Sequence, residues 1–155
     1  MAGLPDDDEV QCVVIPLTSG SLLLPNVCVA EILPWRRIKP LPDAPDWFAG
    51  VLGWRGEMLP VVSYEALAEG MGDSNPRGRC MIVMNRSSGS WGTAFYALIA
   101  SGLPRLVAVA AEDLDGECHG SSVYEALRVE LGTELVVIPD LPQLEQELQK
   151  FGFGS

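Results

Sequence analysis

The chain has 155 residues, 10 Lys and Arg against 21 Asp and Glu, a formal net charge of −11 at pH 7 and an isoelectric point near 4.3. That length suits one domain, or two very small ones sharing a core. With 48% hydrophobic and 20% charged residues the composition is globular, not disordered. Nucleic acid and anionic membrane surfaces attract basic proteins, so the charge argues against both as partners.

The acids are unevenly placed. Residues 1–9 form an acidic tip carrying Asp6, Asp7, Asp8 and Glu9 with no base. Residues 10–86 balance seven bases against seven acids, and residues 87–155 set three bases against ten acids. Solvation of two faces accounts for this pattern. The sharper alternative is a neutral-to-basic first half and an acidic second half that meet different partners. An acidic tip is unlike the basic start of a secretory leader. The longest apolar stretch, residues 94–111, is interrupted by Ser101, Gly102, Pro104 and Arg105, so it reads as two strands and a turn rather than a membrane span. The expected location is cytoplasmic, with no direct membrane insertion.

Dense Gly and Pro punctuation between short Val-, Ile- and Leu-rich runs predicts many short strands. In chain order these are a strand over 12–17, a turn at 18–21, and an extended region over 22–33 kinked by Pro25. A third extended piece covers 35–40, and 42–46 forms a loop anchored by Trp47 and Phe48. Residues 51–54 and 58–62 bracket Arg55-Gly56-Glu57 as a hairpin. Residues 70–79 lack apolar periodicity and mark an internal boundary. Strands follow at 80–85, 91–100 and 106–111, then an acidic loop over 112–120, then strands at 123–131 and 134–138. From Asp140 the spacing predicts a helix, with Asp140 and Gln143 as a capping pair and Leu141, Leu144, Leu148 and Phe151 on one face.

The inventory for catalysis is thin. Four cysteines (Cys12, Cys28, Cys80, Cys118) in a chain this long do not make a disulfide scaffold. His119 is the single histidine and adjoins Cys118 among Glu112, Asp113, Asp115 and Glu117. A thiol- or metal-dependent enzyme would have to centre there, yet nearby carboxylates raise a thiol pKa, and no second His or Cys stands at ligand spacing for zinc. Gly50 to Gly56 lacks the Lys-Ser/Thr of a phosphate loop. No enzyme, cofactor or metal is expected. What remains is a basic and aromatic cluster, Trp35, Trp47 and Trp54 among Arg36, Arg37, Lys39 and Arg55. Trp and Arg are the residue types of binding hot spots, although each Trp taken alone is more often core.

Three segments in this region resemble a known family: Val29-Ala30-Glu31-Ile32, then residues 45–51 (Pro-Asp-Trp-Phe-Ala-Gly-Val), then residues 52–62 with Arg55-Gly56 at the turn and Pro60-Val61-Val62 behind it. Their motifs and spacing resemble the CheW-like family of chemosensory coupling proteins, less sharply from Cys12 to about Leu148. The resemblance implies a mainly β fold of two five-stranded SH3-like antiparallel barrels sharing a core, with a C-terminal helix. The expected division is a first barrel over 22–69, a second over 12–17 with 80–139, and the helix over 140–151, all one domain over 10–150. It also implies a non-enzymatic adaptor that ties the cytoplasmic tip of a methyl-accepting chemoreceptor to the regulatory domain of a CheA-type histidine kinase, peripheral to membrane receptor arrays. By the same resemblance Val29, Glu31, Ile32, Trp54, Arg55 and Gly56 are partner-binding residues, and Gly50 serves tight backbone passage. Ser63 stands where the family usually has Asp, and the family's Val-Asp pair is missing from the second half. The Leu-Pro-Trp-Arg-Arg-Ile-Lys and Leu-Gly-Trp-Arg-Gly stretches look most like ChpC-type adaptors of type IV pilus (twitching) systems. A CheW-like protein that competes for one partner alone is the variant reading.

Overall fold

Apolar runs cut by Gly and Pro form eleven strands in a computed structural model, which describes residues 9–18, 20–69, 78–87, 94–119 and 122–151, with backbone alone at 69, 111 and 114–119. The strands are β1 (Glu9–Pro16), β2 (Ser21–Pro25), β3 (Val29–Pro34), β4 (Phe48–Trp54), β5 (Glu57–Val62), β6 (Cys80–Asn85), β7 (Phe95–Ala100), β8 (Arg105–Ala110), β9 (Leu114–His119), β10 (Glu125–Leu131) and β11 (Glu134–Pro139). Two helices, α1 (Tyr64–Glu69) and α2 (Leu141–Phe151), each follow the second strand of a tight hairpin.

The strands form two sheets, ordered β8-β1-β2-β11-β10-β9 and β3-β6-β7-β5-β4. The mainly β architecture of two small sheets and a C-terminal helix is as the sequence implied. Two details differ. Residues 114–119, read as part of an acidic loop, form β9 and give the first sheet a sixth strand. Its pairing to β10 is made by backbone groups, and charged residues are at home on a sheet edge. Each sheet also contains one parallel pair, β2 with β11 and β5 with β7.

The division of the chain between barrels differs as well. β2 pairs with β1, outside the barrel expected over 22–69, and β6 and β7 join β3, β4 and β5 rather than the strands that follow them. The reason lies in the alternation of side chains. β1 and β6 are buried on both faces, one face serving the strand's own sheet and the other the shared core, and each is an interior strand, β1 between β8 and β2 and β6 between β3 and β7. Segment 35–40 makes no strand beyond a single bridge, in which Lys39 and Val51 exchange two backbone hydrogen bonds of 2.9 and 2.8 Å. Pro34 and Pro40 at its ends lack the amide a ladder needs. The boundary expected at 70–79 lies outside the described residues save for Gly78 and Arg79.

Three apolar clusters follow from this two-sided burial. Leu33, Leu52, Trp54, Leu59, Val61, Met81, Val83 and Ala97 fill the five-stranded sheet. Cys12, Val14, Leu23, Val109, Val129 and Val136 fill the six-stranded one. The alternate residues of both sheets, among them Val13, Ile15, Ile82, Met84, Tyr96 and Leu98, meet between them. α2 closes that shared core with Leu141, Leu144 and Leu148, the face its 3.6-residue spacing predicts. Asp140 caps it, accepting the Gln143 amide at 3.2 Å. Ser63 caps α1, a helix the sequence reading does not include, by accepting the Ala66 amide at 3.4 Å, so the Ser standing where the family usually has Asp is itself a good N-cap.

Candidate functional site

The β4–β5 hairpin turns in two residues, Trp54 pairing with Glu57 across Arg55-Gly56. Both central residues have positive φ, 48° at Arg55 and 79° at Gly56, the requirement of a type I′ turn. Glycine adopts this freely, but for Arg55 the left-handed region costs about 1–2 kcal/mol. Backbone strain of this kind concentrates where a side chain is held for use.

Glu31 on β3 holds the tip. Its Oε1 accepts the Trp54 indole Nε1 at 3.1 Å and Arg55 Nη2 at 3.0 Å. The guanidinium lies over the Trp54 ring, 4.7 Å from its centroid. Trp54 is 6% exposed and packs edge-on against Phe95 at 4.9 Å, so it is a core residue and a platform, not itself a contact surface. The Arg55 side chain is 70% exposed and that of Glu31 36%. One carboxylate thus orients a cation and an indole, leaving the other donors of the Arg55 fork directed at solvent.

Two neighbours extend the surface. Arg36 Nη1 donates to the Gly53 carbonyl at 3.4 Å. Met58 is half exposed, pairs with Gly53, and brings its sulfur to 3.9 Å from where a Gly53 Cβ would stand. Of these, the sequence places Arg36 in the basic and aromatic cluster and gives no signal for Met58. At the tip the Glu31 carboxylate thus holds the Arg55 guanidinium and the Trp54 indole, while Arg36 and Met58 flank the neighbouring Gly53.

The remaining expected residues separate. A bulge between Val29 and Glu31 shifts the β3 register against β6, so Val29 pairs with Met84, Glu31 with Val83 and Ile32 with Ile82. Directly paired residues share a face. Val29 and Ile32 therefore lie on the face toward the shared core, and Glu31 and Leu33 on the barrel interior side. Val29 is half-buried against the shared core, and Ile32 is 44% exposed. Gly50 lies on β4 at φ 150°, where a Cβ would come within 2.4 Å of the Lys39 carbonyl oxygen. The basic and aromatic cluster is dispersed: Trp47 packs on Phe48 and Phe151, while Trp35 covers Gly78 beside Ile99.

No other chemistry assembles among the described residues. Burial pushes the thiols of Cys12, Cys28 and Cys80 up, away from the thiolate that nucleophilic or metal chemistry needs. The side chains of Cys118 and His119 lie outside the described residues. No group of metal-ligating residues occurs among those described, and none of their helices is long and apolar enough to cross a membrane.

Comparison with curated proteins gives no significant match. Among solved structures the fold is similar to that of the scaffolding protein TtCheW from Thermoanaerobacter tengcongensis, with a TM-score of 0.72 at 14% identity, over 91% of this chain and 89% of that one. The CheW-like domain matches residues 11–149. The chain thus belongs to the CheW-like domain family.

Proposed function

We propose that this protein is a non-enzymatic adaptor that couples the cytoplasmic tips of chemoreceptors to the regulatory domain of a CheA-type histidine kinase, at the periphery of a membrane receptor array. The observation that carries the reading is the β4–β5 tip, where a strained, exposed Arg55 is oriented by Glu31 and Trp54. An exposed guanidinium fork suits a carboxylate or carbonyl on a partner. Met58 adds exposed apolar area beside the tip, and Ile32 offers more on the opposite face of β3, of the kind that grips a helical hairpin. The 33–39 and 52–56 stretches support the narrower reading of a ChpC-type adaptor in a twitching system.

The test is co-sedimentation with receptor-containing membranes and pull-down of the kinase, comparing wild type with a folded Arg55→Glu variant. Loss of binding to at least one partner supports the assigned surface. Normal binding of both places the interface elsewhere. One observation favours a protein with a single strong surface: the corresponding tip of the other sheet, Gly132-Thr133 between Leu131 and Glu134, has neither Arg nor Trp. Loss of one partner with retention of the other is the outcome that reading expects.

A further inference from the structure

The two sheets repeat one pattern. With β9 set aside, β3-β6-β7-β5-β4 and β8-β1-β2-β11-β10 have the same succession of antiparallel, antiparallel, parallel and antiparallel neighbours. Landmarks agree in detail. The β4 bulge at Phe48/Gly50, the hairpin residue Trp54 and the helix cap Ser63 stand each 77 residues before the β10 bulge at Glu125/Leu127, the hairpin residue Leu131 and the cap Asp140. In the second copy the last two strands, β1 and β2, come from the start of the chain. The fold is a cyclically permuted twofold repeat.

Each helix reaches out of its own repeat into the other. The carboxylate of Glu65 on α1 accepts the backbone amide of Thr18, in the turn between β1 and β2. The carboxylate of Glu145 on α2 accepts the amide of Ser87 at 3.0 Å, just after β6. These acceptors are matched, because β1 is the counterpart of β6 and the equivalence of Val14 with Val83 makes Thr18 the counterpart of Ser87. The clasps are reciprocal but unequal. Glu145 is 1% exposed on an eleven-residue helix, and it also accepts the Ser87 hydroxyl at 3.0 Å and the Tyr96 hydroxyl at 2.9 Å. Glu65 makes an exposed hydrogen bond from a six-residue helix. Beside that shorter helix a cleft of about 70 Å³ opens between Leu17, Ser21, Tyr64, Glu125 and Val137.

We infer that the paired clasps form an asymmetric hinge between the two barrels: the buried Glu145 joint on α2 stays shut, and the Glu65–Thr18 joint on α1 parts first. Local opening starts where few buried contacts and exposed backbone hydrogen bonds coincide, and that describes the α1 side. The hinge would set the angle at which the two barrels present their tips.

The test is residue-resolved amide hydrogen exchange on the full chain. In the wild type, protection at Thr18 is lower than at Ser87. Glu65→Gln lowers protection at Thr18 by about tenfold, the difference between charged and neutral acceptors, and leaves Ser87 unchanged. Glu145→Gln lowers protection at both, because release of α2 frees the whole joint. Where Glu145→Gln does not fold, Ser87→Ala removes one donor and has the same effect in weaker form. Equal protection at the two amides in the wild type, or an α2-side variant whose effect stops at residue 87, overturns the hinge.

Discussion

Replacing Arg55 with Asn separates what the tip does for the fold from what it does for a partner. The change makes Asn-Gly, the pair that type I′ turns favour. It relieves an Arg held at φ 48°, a strain of about 1–2 kcal/mol. Against this stand two losses. The ion pair to Glu31 is exposed, with side chains 70% and 36% accessible, so it contributes only about 0.2–1 kcal/mol. Stacking over Trp54 at 4.7 Å adds about 0.5–1 kcal/mol at such a site. The terms nearly cancel, and stability in urea should change by less than about 1 kcal/mol in either direction, or about 2–4 °C in Tm for a chain of this size. Partner binding should fall all the same. A loss of more than about 2 kcal/mol, beyond what an exposed pair supplies, would show that Arg55 is a structural residue, and the strain would then say nothing about function.

Gly50→Ala forces a Cβ to within 2.4 Å of the Lys39 carbonyl oxygen, so the Lys39–Val51 bridge must open; the expected cost is about 2–3 kcal/mol in a denaturant titration, and a neutral result would mean that the bridge closes nothing. Glu134 sits between Arg105 and the Ser21 hydroxyl, and the Arg105 guanidinium holds its carboxyl below the ordinary 4.5. Its contribution is therefore present above that value and is lost as pH falls through the lowered one. Glu134→Gln should be less stable than wild type at neutral pH, and the two should converge in acid; parallel pH profiles would remove the pair as a source of acid sensitivity. Glu31→Ala releases both the Trp54 indole and Arg55, leaving a donor in the barrel without its acceptor. It should cost about 1–3 kcal/mol in a denaturant titration, more than Arg55→Asn, and an equal or smaller loss would mean that the Glu31 acceptor does not hold the indole.

Much of the fold was legible because burial on both faces leaves continuous apolar runs. Residues 80–85 are almost wholly buried and read plainly as a strand. What the sequence could not show was the exchange between sheets, since strands buried on two sides carry no label for which barrel each face serves. β9 was missed because an edge strand needs only backbone pairing, and its Asp, Gly and Glu read as loop. At the site, proximity in sequence misled in one respect: Trp35, Trp47 and Trp54 lie within twenty residues yet occupy three separate environments. The β3 bulge likewise divides Glu31 from Val29, which no two-residue alternation would have foretold. Arg55-Gly56 was recognisable as a turn, but the positive φ of Arg55 needed coordinates to see.

The most direct measurement is reconstitution of receptor-bearing vesicles with a CheA-type kinase, reading how much kinase pellets with and without this protein. The adaptor reading predicts that wild type and a folded Glu57→Gln control bring kinase down with the vesicles, and that Arg55→Glu does not. Equal kinase recovery with wild type, with Arg55→Glu and with no added protein would contradict it.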